Sequence, residues 1–128
     1  MKKIKKIAAS ILAVAAMATS MVGMSASANQ VVGSCGTFIW SAGSAKTVNN
    51  TNKTRIVTAS VIVYEDGTGS YVNADYKNKT GGNGAYAKAS LSTSDYPTSS
   101  YNFTCIGNIY NSDLSIAGVA ESWTKYVD

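Results

Sequence analysis

A small all-β domain, folded as an antiparallel β-sandwich, is predicted by three features of this chain. Residues 56–64 alternate strictly, with Val57, Ala59, Val61 and Val63 on one side and Ile56, Thr58, Ser60, Ile62 and Tyr64 on the other. That period of two marks a strand with one face in a core. Two turns follow, Asp66-Gly67-Thr68-Gly69 and Gly81-Gly82-Asn83-Gly84, rich in the glycine that hairpins use at positive φ. The composition agrees, with eight Tyr, a single Pro and no long amphipathic helical pattern.

The elements can be taken in order. Residues 1–28 begin with Met1-Lys2-Lys3-Ile4-Lys5-Lys6, continue with an Ala- and Met-rich apolar run and close on Ala26-Ser27-Ala28. This is the pattern of a secretory signal peptide cleaved after Ala28, which leaves residues 29–128 as a single secreted β domain. Residues 35–40 predict a first strand, and the polar residues 41–53 a loop whose Asn49-Asn50-Thr51-Asn52 stretch is a solvated turn. Residues 54–92 predict a three-stranded meander. With an even number of residues in each turn, Val57/Ala59/Val61/Val63, Val72/Ala74/Tyr76 and Ala85/Ala87/Ala89/Leu91 share one core-facing side. Its small residues call for a close partner layer, a second sheet. Residues 93–100 read as a loop. Residues 102–110 form a strand with Phe103, Cys105 and Ile109 on one face, and residues 114–123 a last strand.

Charge and chemistry narrow the function. Four of the 11 Lys and Arg residues lie in the leader, so the mature chain carries seven basic and seven acidic residues. The basic balance belongs mostly to the leader, and nucleic acid is excluded as a partner. No transmembrane segment is expected in the mature chain. The sequence has no His, which removes Ser-His-Asp and Cys-His nucleophile systems and the commonest zinc ligand. No phosphate loop is present, and no cofactor, metal site or catalytic residue is expected. Carboxylates remain for glycoside hydrolysis, namely Glu65, Asp66, Asp75, Asp95, Asp113 and Glu121, but each fits a turn or a solvated face first. In an oxidising compartment Cys35 and Cys105 predict a disulfide, worth about 4 kcal/mol by chain entropy. The alternative is lipidation of Cys35 after Val32-Gly33-Ser34.

The polar face of the meander is the binding candidate. Tyr64 and Tyr71 should be cross-strand neighbours, with Tyr86 on the next strand and Asn73, Asp75, Lys77 and Lys88 around them. Aromatic rings beside amide and charged groups suit a glycan or a protein ligand.

Several short motifs resemble the lactococcin 972 family of secreted bacteriocins. They are Gly36-Thr37-Phe38 with Trp40, Thr58-Ala59-Ser60-Val61, Gly84-Ala85-Tyr86-Ala87-Lys88-Ala89-Ser90-Leu91 and Ser100-Tyr101-Asn102-Phe103. The resemblance implies an exported, unmodified β-sandwich that acts on neighbouring bacteria at the cell envelope, with a cell-wall precursor as target. The chain departs from the family in its two cysteines, its lack of His, its fewer Trp and its C-terminal extension. The expected function is therefore a secreted, non-enzymatic, bacteriocin-like antimicrobial protein acting on an envelope component. An extracellular module binding glycan or protein is the alternative, and a carboxylate-based hydrolase the third.

Overall fold

The computed structural model describes residues 29–117 and 121–127. The expected signal peptide, residues 1–28, and its expected cleavage point fall outside them. Eight strands run in chain order: β1 (Asn29–Val32), β2 (Gly36–Ser41), β3 (Ser44–Asn49), β4 (Arg55–Glu65), β5 (Tyr71–Gly81), β6 (Tyr86–Ser90), β7 (Tyr101–Tyr110) and β8 (Ser122–Val127). They form two four-stranded antiparallel sheets, a first ordered β1-β2-β3-β6 and a second ordered β5-β4-β7-β8. The β-sandwich the composition predicts is the fold observed.

The core lies between the sheets. Val57, Ala59, Val61 and Val63 of β4 and Phe103, Cys105 and Ile109 of β7 face Phe38, Ala45, Ala87 and Ala89 of the first sheet. Phe38, with Phe103 its largest fully buried side chain, is stacked between Trp40 and Trp123 with ring centroids 5.6 Å away on either side. The Phe38 ring rests on Gly107, where any Cβ would overlap that ring and the Thr47 hydroxyl. Thr47 also faces inward, and its Oγ1 donates to the Thr58 carbonyl at 2.7 Å, so its buried hydroxyl is satisfied.

Four expectations from the sequence are corrected. Residues 41–53 are not all loop, because β3 lies within them, paired on both sides by β2 and β6. Its inward residues Ala45, Thr47 and Asn49 are small or polar, so no apolar alternation announces it. Asn49 is fully buried and not part of a solvated turn. Its Nδ2 donates to the Lys53 and Gly81 carbonyls at 2.9 and 3.0 Å, while its Oδ1 accepts from the Thr51 N–H and hydroxyl. One amide thus ties the end of β3 to the start of β4 and the end of β5.

The meander does not continue to a third strand. β4 and β5 form the expected hairpin, but β6 crosses over to pair with β3 in the first sheet. The register of β5 also differs. A bulge between Val63 and Tyr64 shifts the pairing by one residue, so Val63 opposes Asn73 and Val61 opposes Asp75. Val72, Ala74 and Tyr76 consequently turn outward. The expected strand over residues 114–123 is not observed over 114–117, which hold only an isolated bridge at Ile116, and residues 118–120 lie outside the described residues. Asp113 Oδ1 accepts from both the N–H and the hydroxyl of Ser115, Leu114 takes a φ of 72°, and β8 begins only at Ser122.

The fourth correction concerns the disulfide. Both cysteines are free and buried. Cys35 immediately precedes β2, whereas Cys105 Sγ lies 3.5 and 3.6 Å from the Ser41 and Ser44 carbonyls at the far end of that strand. The length of β2 puts about 20 Å between the two, against roughly 4.4–6.8 Å between the Cα atoms of a bridged pair. The lipidation alternative fits no better, since a cut before Cys35 would remove β1. The Cys35 N–H is also held by the buried carboxylate of Glu121, which accepts from Ser34 Oγ at 3.0 Å as well.

Two measurements check this packing. Gly107→Ala should destabilise the domain by about 1–3 kcal/mol through overpacking against Phe38, read as a lowered urea midpoint; an unchanged midpoint would place the ring elsewhere. Burial pushes the Cys105 thiol up to about 12, so an alkylating reagent should leave it unmodified in the native protein at neutral pH. In urea without reductant both cysteines should react, and failure of either to do so would indicate a bridge.

Candidate surface for ligand binding

The outward face of the second sheet can be read row by row from its register. Tyr71, Tyr64 and Asn102 form one row, followed by Ala74, Ile62, Thr104 and Tyr126. Tyr76, Ser60, Ile106 and Thr124 come next, then Asn78, Thr58, Asn108 and Ser122, and finally Thr80, Ile56 and Tyr110. No side chain at these positions carries a formal charge. Four strands at ~4.8 Å spacing and five rows at about 6.8 Å make a plane of roughly 15 by 27 Å.

The charges of this sheet fall on the other parity. Asp75, Lys77 and Lys79 of β5 oppose Val61, Ala59 and Val57, and Lys125 of β8 reaches back to sit 5.0 Å from the Trp40 ring centroid. At the rim, Asp66 accepts from Asn102 Nδ2 at 3.1 Å. A solvent-facing sheet ordinarily alternates apolar-in with polar-out. Here the outward groups are hydroxyls, amides, three isoleucines and four phenol rings besides the bulge-side Tyr71. Tyr76 is 56% exposed at one margin and Tyr126 76% at the other, while Ile62, Ser60 and Ile106 between them are half-buried.

The expected binding face is thereby broken up. Tyr64 and Tyr71 are cross-strand partners as expected, at one end of this plane. Asn73 and Asp75 instead turn to the seam where β5 meets the free edge of β6. There Asn73 Nδ2 donates to the Tyr96 hydroxyl at 3.2 Å, and Asp75 Oδ2 accepts from the Ser90 N–H at 2.9 Å. Lys77 Nζ donates to both oxygens of Asp75 at 2.8 and 3.0 Å. Tyr86 and Lys88 lie on the outward face of the first sheet, where Lys46 sits 4.5 Å from the Tyr86 ring centroid and opposite Lys88. Burial and the adjacent Lys88 hold the Lys46 ammonium below its usual value. The seven residues therefore occupy three separate surfaces, and only the Tyr64–Tyr71 pair belongs to the plane. Sequence reasoning misses Tyr76 because it falls into the expected core set, and Tyr126 because it lies beyond the expected last strand.

No family model matches the chain, and no curated protein matches it. Among solved structures, a β-glucuronidase from Bacteroides uniformis is similar at a TM-score of 0.35 and 12% identity, over 77% of this chain and 12% of that one. A likeness that small transfers nothing. Five of the six carboxylates considered for hydrolysis are engaged locally: Glu121 by Cys35 and Ser34, Asp75 by Lys77 and Ser90, Asp113 by Ser115, Glu65 by Thr68 and Asp66 by Asn102. Among the described residues no cluster of three His, Cys, Asp or Glu side chains could hold a metal.

Asp75 gives a pH-dependent test of the seam. Partial burial pushes its carboxyl up, but the hydrogen bonds from Lys77 and the Ser90 N–H outweigh this and leave it below its ordinary value. A depressed native value means the carboxylate stabilises the fold above its unfolded pKa, and that stability is lost as pH falls through the native one. Asp75→Ala should therefore cost about 1 kcal/mol at neutral pH in urea unfolding. The gap to the parent protein should close in acid; a gap that stays constant with pH would deny the carboxylate this role.

Proposed function

We propose that this chain is an exported, non-enzymatic β-sandwich that acts by binding at the bacterial cell envelope. The surface it uses is the uncharged outward face of the second sheet. The observation that carries this reading is the segregation of charge, since every Lys, Asp and Arg of β4, β5 and β8 among the described residues falls outside the rows of that plane. An exposed patch of apolar and aromatic groups with hydrogen-bonding neighbours is the form recognition surfaces take. The lack of His, and carboxylates held by separate local partners, support binding over catalysis.

The leader pattern supports export, and the lactococcin 972-like motifs support a bacteriocin as the specific form of envelope action. Purified mature protein should be retained on envelope fractions of related bacteria. Ile62→Asp, which puts a charge at the centre of the plane, should lower retention about tenfold or more while the urea midpoint stays within about 1 kcal/mol of the parent. Retention unchanged by this substitution would remove the surface from the proposal. Growth inhibition of related strains by added protein is the expected antibacterial outcome, and its absence across a broad panel would leave binding without killing.

A further inference from the structure

We infer that the occupant of the plane is an uncharged polysaccharide laid across the strands from Tyr76 to Tyr126. The inference rests on the envelope-binding reading above and names the chemistry of its partner. A chain of neutral sugar rings offers C–H faces for stacking and hydroxyls for hydrogen bonding, and no charge. The plane offers the matching set. Tyr76 and Tyr126 stand exposed at its two margins, Ile62 and Ile106 lie between them, and Ser60 and Thr104 supply hydroxyls in the same two rows.

The competing occupants fit less well. An anionic polymer or nucleic acid would need cations, and these rows hold none. A bilayer surface favours an apolar stripe flanked by Lys and Arg, whereas the row of Asn78, Thr58, Asn108 and Ser122 crosses this face with amides and hydroxyls. Ser122 Oγ donates to Asn108 Oδ1 at 2.8 Å, so this row is already oriented for polar contact. A second copy of the chain would need about 800 Å² on each partner, and the eighteen positions of the plane cover on the order of 600 Å². A flat surface of that size suits an extended chain that touches it along one line of rings. The strands beneath are fixed by pairing on both sides at β4 and β7, so little order is lost on binding.

The experiment is a pull-down of the mature protein on insoluble β-glucan, mannan and chitin alongside envelope fractions, with soluble fragments of each as competitors. Retention on at least one neutral polysaccharide is expected, and it should change less than about twofold between roughly 0.05 and 0.5 M salt, because no ion pair is involved. Tyr76→Ala with Tyr126→Ala should weaken it about tenfold, an amount equal to the loss of about 1.4 kcal/mol, with an unaltered circular dichroism spectrum. Envelope retention that collapses with salt, yields only to anionic polymers, or disappears when the envelope is treated with protease would overturn the polysaccharide and leave the envelope-binding reading intact. No retention on envelope or on any polysaccharide would overturn both.

Discussion

The bulge where β5 passes Val63 and Tyr64 determines which side chains of β5 meet water on the outer face of the second sheet. Side chains alternate along a strand, so one extra residue exchanges two whole rows. Without it, Val72, Ala74 and Tyr76 would point inward, where burying a large apolar side chain is worth about 1.5–3 kcal/mol. The chain forgoes that gain because β5 is an edge strand whose inward side looks onto the open edge of β6 and not onto the core. An apolar row there would leave the Ser90 N–H without the acceptor that Asp75 provides. An unpaired edge also invites pairing with other chains, and charged side chains turned toward it discourage this. The same displacement that protects the seam delivers Tyr76 to the outer plane.

The close approach of the two sheets follows from small residues. Ala45, Ala59, Ala87 and Ala89 face one another in the core, and Gly107 lets the Phe38 ring lie against the backbone of β7. Thr47 reaches across to β4 through its hydroxyl. A thin core of this kind contributes less apolar burial per residue than a Leu-rich one. Buried polar ties such as the Asn49 amide make up part of the difference, since a satisfied buried amide specifies geometry and an unsatisfied one costs about 1–3 kcal/mol. The result is a stiff support under β4 and β7, the two central strands of the exposed plane.

What could be read from the residues follows the strength of local alternation. β4 and β7 are legible because Val57 through Val63 and Phe103 through Ile109 place apolar groups at every second position. β3 is hidden because its core-facing residues are Ala45, Thr47 and Asn49, whose roles depend on strands distant in sequence. The bulge is invisible for a related reason: its stabilisation comes from β6, which contacts β5 only after crossing to the other sheet. The candidate surface is half legible. Tyr64 and Tyr71 pair as their positions suggest, but the parity that turns Tyr76 onto the face of Ile62 and Tyr126 is set by the bulge. The disulfide expectation failed on a length the chain does not display, the full extent of β2 between Cys35 and Ser41.

A charge-free outward face is a cost to a domain that must stay dissolved. Lys and Glu on exposed sheets keep proteins apart, and residues 29–128 carry seven basic and seven acidic residues, a formal net charge of zero. The outward side of the first sheet places Lys46 opposite Lys88, with Lys46 buried and its ammonium held below its usual value by that burial and by Lys88. The cations of the described strands thus sit off the exposed plane of the second sheet. Solubility alone would put charges on that plane. The proposed recognition of an uncharged partner would account for their absence, because a Lys or Asp on the plane would have to shed water against a ligand with no charge to replace it.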